Sequence, residues 1–418
     1  MNETFTIKRP NGSFMLYGHR GSETIDVQET GAAFLTLIYG GQGDEVVNIG
    51  KDNTLVGIQG PISVYGQNGY DKLNVNDQDS VSGTTYTLTA KTLNRLNAAQ
   101  IGYYTVEALT LNMTGHDDVV RANQIPKNTT VACIDFGGAD WLYGPPSAAT
   151  RFDVLGPDVG VVGGSLPFSA IENLAGGDKK DRFTFIDGAS LSGVIRGYGG
   201  SDMLDYAAVT YPVDVNLATT TATNVVGGVL SIEDVVGGYA CDRLVGDTLK
   251  NQLWGGPNDD VLLGGGGNDS LEGGGGNDVL VGDAGTDRLF GDEGRDVLIG
   301  GADADDLFGG PDDDILIGGT TSHDQNVTAL LAVLAEWSRT DLDYDQRILN
   351  LRSGGGLNGL IVLTASAPNP TVFDDQAKDS LRGGLGRDWF FAKISGQYQY
   401  RDRLFDSDLE PGERVDVL

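Results

Sequence analysis

The chain is poor in the residues most enzymes and disulfide scaffolds depend on. Its only two cysteines, Cys133 and Cys241, lie far apart in the sequence and form no metal-spaced cluster. They read as small buried residues, and a disulfide requires their coils to be neighbours. Histidine occurs three times, at His19, His116 and His323, widely scattered and expected in exposed loops. The HExxH zinc-protease motif and the GxSxG nucleophile elbow are both absent. No run of about 18 apolar residues exists, so no helix spans a membrane. The opening MNETFTIKRPNGSF lacks the apolar core of a secretory signal. That leaves two alternatives, the mature part of a longer product or export by another route. Positive charge is also scarce: 28 Lys+Arg face 59 Asp+Glu, a formal −31. Such a balance argues against nucleic acid or an anionic membrane as partner and for cations. The densest charged group of the N-terminal half, Asp178-Lys179-Lys180-Asp181-Arg182, reads as a solvated loop, and no residue set supports a catalytic assignment.

What the chain has in excess is glycine, 63 residues, and a period. Nine nonapeptides run without a gap from Gly237 to Ile317: GGYACDRLV, GDTLKNQLW, GGPNDDVLL, GGGGNDSLE, GGGGNDVLV, GDAGTDRLF, GDEGRDVLI, GGADADDLF and GGPDDDILI. The eighth position is leucine every time: Leu244, Leu253, Leu262, Leu271, Leu280, Leu289, Leu298, Leu307 and Leu316. Leucine makes up about a tenth of ordinary residues, so nine in phase by chance is roughly a one-in-a-billion event. A flexible acidic linker would have no reason to keep that phase.

A nine-residue unit buries nothing alone and must stack on copies of itself. Two units make one coil of turn, short strand, turn, short strand, with the leucines in two inward columns. Glycines at positions one, two and four permit backbone angles that side chains forbid and leave carbonyls free to face a ligand. Position six then stacks on position six of the next coil. On one edge this pairs Asp242/Asp260, Asp260/Asp278, Asp278/Asp296 and Asp296/Asp314; on the other, Asp269/Asp287 and Asp287/Asp305. Carboxylates about 4.8 Å apart repel strongly unless a cation sits between them. An all-oxygen cage suits calcium better than zinc or copper. The pairs predict roughly six calcium ions, with a weaker seventh where Asn251 faces Asp269. Residues 237–317 hold 4 basic and 18 acidic side chains, a local −14. A calcium-free state is therefore expected to be expanded or unfolded, with metal binding coupled to folding.

GGGGNDSLE, GGGGNDVLV and the later GGLGRDWFF resemble the GGxGxDxUx repeat of hemolysin-type (repeats-in-toxin, RTX) calcium-binding proteins, U being a large apolar residue. The turns at Gly264, Gly273 and Gly383 match strictly. Asp283 and Asp292 occupy the second position of their turns; Asn258, Asp303 and Asp312 replace the fourth-position glycine, as do Ala240 and Leu249 in the first two units. These departures put the cage geometry at those turns in doubt. The resemblance implies a calcium-filled parallel β-roll and an extracellular bacterial protein. The ending Asp416-Val417-Leu418 resembles the uncleaved C-terminal export signal of such proteins.

Upstream, the motif Gly-x-Asp-x-apolar recurs singly at Asp71, Asp117, Asp140 and Asp202, with a degenerate copy at Asp181. Together with Asp242 the spacings are 46, 23, 41, 21 and 40, close to one or two coils of about 20–23 residues. These aspartates read as turn residues capping coils, with calcium ligation as the alternative. Strands are expected at 34–38, 45–49, 85–89 and 108–111. From 322 to 351 the period becomes helical: Val327, Leu330, Leu331, Leu334 and Trp337 form one apolar face, and Tyr344, Ile348 and Leu351 mark a second helix ended by Gly354. The hairpin should dock on the solenoid side or cap it. The nonapeptide then returns with Asp379 and Leu381, then Asp388 and Phe390. This layout also resembles the C-terminal regions of large bacterial surface proteins.

The expected fold is all-β, a right-handed parallel β-helix/β-roll solenoid with an inserted helical hairpin. Residues 1–236 would form a β-helix-like solenoid, 237–319 the calcium roll, 320–372 the helical insert and 373–418 the final coil and cap. The expected ligands are Asp242, Asp260, Asp269, Asp278, Asp287, Asp296, Asp305, Asp314, Asp379 and Asp388. The function expected is a secreted or cell-surface, calcium-stabilised structural or adhesive protein, with a surface polysaccharide or another surface protein as partner. Two alternatives stand beside it: a polysaccharide lyase or epimerase on a β-helix, and a detached C-terminal piece serving a larger chain.

Overall fold

The structure, a computed structural model, describes residues 3–8, 10–366, 368–394, 402–404 and 413–418. It divides into two compact units, one of residues 1–202 and 224–231, the other of residues 203–223 and 232–418.

The N-terminal unit is built from parallel ladders. In one, Thr4–Lys8, Thr24–Glu29, Val46–Ile49, Lys72–Asn76, Ala108–Asn112 and Thr130–Ile134 follow one another. In a second, Phe14–Tyr17, Thr36–Gly41, Ile62–Gln67 and Ile101–Tyr104 do the same. Strand side chains alternate in direction, so Ile25, Val27, Val47, Ile49, Leu73 and Val75 fill the interior while their neighbours face out. The four expected strands coincide, to within three residues at each end, with Thr36–Gly41, Val46–Ile49, Thr85–Leu88 and Ala108–Asn112. The expectation of uniform coil length needs correction. Thr24 pairs with Val46, whereas the partner of Lys72 is Ala108, a far longer step along the chain. The extra length holds the antiparallel hairpin of Thr85–Leu88 and Thr92–Arg95. A second excursion, Arg151–Gly156, Val159–Val162 and Leu166–Ser169, is also antiparallel. Such insertions are tolerated because loop-closure entropy grows only slowly with length.

In the second unit every step from Arg243 to Ile317 is two nonapeptides. One sheet stacks Arg243–Val245, Val261–Gly266, Val279–Ala284, Val297–Ala302 and Ile315–Ile317. The other stacks Gln252–Pro257, Ser270–Gly275, Arg288–Glu293 and Asp306–Pro311. Every leucine of the repeat is fully buried, in two columns. At about 1.5–3 kcal/mol per buried side chain, these columns are the main apolar term holding the coils together.

After Ile317 the chain leaves the solenoid and resumes it only at Ser380. Ser380–Leu385 then pairs with Asp306–Pro311, and Trp389–Ala392 with Ile315–Ile317. Arg414–Val417, in the segment resembling an export signal, pairs as a strand with Trp389–Ala392. The excursion contains helix α1, Val327–Trp337, capped by Asn326, and helix α2, Tyr344–Ser353, capped by Asp343. The hairpin docks on the side of one sheet. Val261, Leu263, Val279, Val281, Val297 and Ile299 face away from the leucine column yet are buried beneath the hairpin. Leu330, Val333, Leu334 and Trp337 of α1 pack on them. The expected α1 face differs at one position, since Leu331 is 43% exposed and Val333 is buried in its place. Trp337 Nε1 donates to the Asp313 carbonyl at 2.8 Å and the Tyr344 hydroxyl to the Asp388 carbonyl at 2.7 Å. Arg347, 2% exposed, stacks 4.5 Å over the Trp337 ring and reaches Asp313 Oδ2.

Both cysteines are free; Cys133 is buried as expected, but Cys241 is exposed at a turn, which corrects that expectation. His19 and His116 are exposed and His323 half-buried. No described helix is long and apolar enough to cross a membrane.

Candidate metal centre

The turns between strands hold the position-six carboxylates in two ladders. On one edge the backbone N–H of Asp242 donates to Oδ1 of Asp260 at 2.6 Å, and the pattern repeats from Asp260 to Asp278, Asp278 to Asp296 and Asp296 to Asp314. On the other it runs from Asn251 to Asp269, Asp287 and Asp305. Both ladders cross the helical insert: Asp305 N donates to Asp379 Oδ1 at 3.0 Å and Asp314 N to Asp388 Oδ1 at 2.8 Å. All ten sequence-derived aspartates therefore lie in these two rows, each at most 3% exposed.

Oδ1 is satisfied in every rung, and Oδ2 of Asp242 accepts from Gly238 N. The Oδ2 atoms of Asp260, Asp269, Asp278, Asp287, Asp296, Asp305 and Asp314 are buried without a hydrogen-bond donor among the described residues. A buried carboxylate oxygen left unpaired is strongly unfavourable, and seven in the same chemical position point to a common missing partner. The first glycine of each turn frames that position. A Cβ built on Gly264 would lie 2.7 Å from Asp269 Oδ2 and 2.7 Å from the Gly282 carbonyl oxygen of the next coil. The same pair of oxygens crowds Gly255, Gly273, Gly282, Gly291 and Gly300. Carboxylate and carbonyl oxygens thus converge on a cradle kept open by the absence of a side chain. Hard oxygen donors of this kind fit calcium.

The departing turns from Asn258 onward keep their shape, whereas Ala240 and Leu249 in the first two units do not adopt positive φ. Asp283, Asp292, Asn258, Asp303 and Asp312 all adopt positive φ, between 68° and 76°, as the glycines at matching positions do. Aspartate and asparagine are the non-glycine residues that tolerate this region best.

Without a cation the rows are electrostatically unfavourable. Burial first, and then the neighbouring carboxylates, raises Asp260, Asp278 and Asp296 to about 8. Asp269 rises to about 6, Asp287 to about 7, Asp305 to about 9 and Asp379 to about 8, again chiefly through burial.

Upstream aspartates occupy equivalent rungs. Asp71 Oδ1 accepts from Glu45 N, Asp140 Oδ1 from Asp118 N and Asp202 Oδ1 from Asp181 N. Two expectations are corrected here. In Gly115-His116-Asp117-Asp118 the rung residue is Asp118, fully buried, whereas Asp117 is exposed, because the strand alternation starting at Val119 sets the phase. Asp181 belongs to a buried rung, not to a solvated loop. Sequence reasoning missed Glu23, Glu45, Asp118 and Asp402 as ladder members. For Glu23 and Glu45 the available signal was a glycine five positions before the acid: Gly18/Glu23 and Gly40/Glu45, like Gly66/Asp71, match Gly255/Asp260, whereas Asp118 and Asp402 follow Met113 and Gln397 at that spacing and carry no such signal.

Stacked two-repeat coils with acidic, glycine-framed turns define a calcium-binding β-roll. The family model of the RTX calcium-binding nonapeptide repeat matches residues 245–280, 254–289 and 281–316, with four copies in this stretch. The segment 245–316 is an array of RTX calcium-binding nonapeptide repeats, and the chain is a calcium-binding repeat protein. No curated protein matches the chain.

Proposed function

We propose that the ten aspartates of the two rows hold a file of calcium ions, and that the repeat region folds when they bind. The supporting observation is the set of seven buried, donor-less Oδ2 atoms facing glycine-framed carbonyls. Calcium bound there would neutralise the carboxylates and cross-link successive coils, while the chain's own backbone N–H groups fix the orientation of each Oδ1. At −31 overall, the cation-free chain is self-repelling, so the folded roll belongs where calcium is plentiful. Extracellular modules work at about 10⁻⁴–10⁻³ M calcium. This favours a secreted or bacterial cell-surface protein with a structural or adhesive role. Calcium titration followed by far-UV circular dichroism, with magnesium as control, tests the reading. A cooperative, chelator-reversible gain of β signal specific to calcium is expected; a spectrum indifferent to calcium and chelator would refute it.

One observation favours a second reading, a polysaccharide lyase or epimerase. The N-terminal unit carries a cleft of about 840 Å³ lined by Lys91, Tyr104, Glu107, Gln124 and Lys127. Calcium-dependent cleavage or epimerisation of uronate polysaccharides would replace the structural reading with this one.

A further inference from the structure

The N-terminal unit lies outside the repeat match, yet it contains a buried carboxylate that no hydrogen-bond donor among the described residues satisfies. Glu45 is 1% exposed, and neither Oε1 nor Oε2 has a hydrogen-bond donor. Its neighbours along the edge are Glu23, 4% exposed with Oε2 unpaired, and Asp71, 3% exposed with Oδ2 unpaired. No arginine or lysine forms an ion pair with any of the three among the described residues. Three acids with four unpaired oxygens in one buried row are untenable as bare anions.

The surroundings reproduce the repeat cradle without its nonapeptide period. A Cβ built on Gly40 would meet Glu45 Oε2 at 2.5 Å and would also crowd the Gly66 carbonyl oxygen of the next coil. One built on Gly18 would meet Glu23 Oε2 at 3.1 Å and crowd the Gly40 carbonyl oxygen. Gly66 stands in the same relation to Asp71 Oδ2 and the Thr105 carbonyl. Glutamate differs from the repeat aspartate by one methylene. That extra reach is consistent with both Glu45 oxygens turning away from the backbone N–H groups that hold Oδ1 in the repeats.

We infer that Glu45, with Glu23 and Asp71 on either side and the carbonyls of Gly40 and Gly66, forms a calcium site in the N-terminal unit, separate from the nonapeptide array. Hard oxygen donors of mixed carboxylate and carbonyl type select calcium over softer metals. The competing way to neutralise the row is by protons: burial and the adjacent Asp71 and Glu23 raise Glu45 to about 8. A proton bridges a single pair of oxygens, whereas one cation would engage the carboxylates and both carbonyls together.

The test uses the full chain. Tyr39 and Tyr65 immediately precede Gly40 and Gly66, and their rings stack at 4.9 Å. Terbium in this site should luminesce on tyrosine excitation, be displaced by calcium, and lose that signal in Glu45→Gln but keep it in Asp278→Asn. Bound calcium per chain should fall by at least one ion in Glu45→Gln. Hydrogen exchange of wild-type peptides spanning 36–67 decides the matter should the variant misfold. Calcium at ten times its dissociation constant should slow exchange there about tenfold, in wild type and in Asp278→Asn alike. Unchanged exchange in 36–67, or an unchanged calcium count with persistent tyrosine-sensitised emission in Glu45→Gln, would overturn the site in favour of protonated carboxyls. Exchange in 261–317 is read in parallel, so failure of the repeat array is distinguished from failure of this site.

Discussion

Replacing Asp278 by asparagine should change stability with opposite sign in the presence and absence of calcium. The side chain is fully buried; Oδ1 accepts from Asp260 N at 2.7 Å and Oδ2 has no donor. In the cation-free fold, burial and then Asp296 raise its pKa from 3.8 to about 8. The folded value lies above the unfolded one, so the folded state binds the proton more tightly. The resulting deficit is absent below about pH 4, grows as pH rises and is complete above about pH 8. At pH 7 it reaches roughly 4 kcal/mol, at 1.36 kcal/mol per unit. Asparagine removes this term and retains an oxygen for Asp260 N. With calcium bound, the same change deletes a charged ligand. Loss of an outer-shell partner alone weakens metal sites by about 10–100-fold, so a ligand should weaken binding by at least about 1.4 kcal/mol. Far-UV circular dichroism at pH 7 reads both limits. In chelator the variant should keep more β signal than the wild type, a gain that vanishes by about pH 4, while in saturating calcium its urea midpoint should fall. A shift of the same sign under both conditions would refute the assignment of this row to cations.

Gly285 has φ +124°, and an added Cβ would overlap the Gly267 carbonyl oxygen. Gly285→Ala should lose about 3 kcal/mol or more, read as a lowered thermal midpoint in calcium, and a loss under about 0.5 kcal/mol would contradict the turn geometry. Trp337→Ala empties a fully buried site and strands the Asp313 carbonyl. It should cost about 3–5 kcal/mol and expose the α1–α2 hairpin and the strands beneath it to hydrogen exchange; unchanged protection of 261–317 would show that the hairpin is not holding that face.

Much of this was legible in the sequence because the period is a backbone property: phase-locked leucines require stacking, and position six must then face position six. The pairs Asp242/Asp260 through Asp296/Asp314 follow from counting alone. The α1–α2 hairpin was legible from the spacing of Leu330, Leu334 and Trp337, but its docking side was not read. The signal lay in positions seven and nine, apolar in alternate units (Val261 and Leu263, Val279 and Val281) and mixed in the others (Gln252 and Trp254, Ser270 and Glu272). Upstream, Glu23 and Glu45 escaped a search keyed to aspartate because they are glutamates, and the hairpin at 85–95 lengthens the coil after Asp71 and breaks the count beyond it. Only the local relation of glycine to an acid five positions later survives there, because the cradle depends on that relation and not on coil length.

The alternation of the two sheet faces also sets how the array can change in length. One face must be apolar twice over, inward to the leucine column and outward to α1 and α2, whereas the opposite face carries Glu272, Phe290 and Arg382 toward the outside. Removing residues 264–281, one full turn, leaves every remaining unit on its own side. Removing only 264–272 inverts the upstream repeats relative to the hairpin, turning Val261 and Leu263 to water and drawing Gln252 and Trp254 beneath the helices. The first deletion should keep a cooperative thermal transition in calcium and the second should lose it; equal melting of the two would show the faces to be interchangeable. The heritable module of this solenoid is then the pair of nonapeptides, and duplication or loss is neutral to the fold only in even numbers.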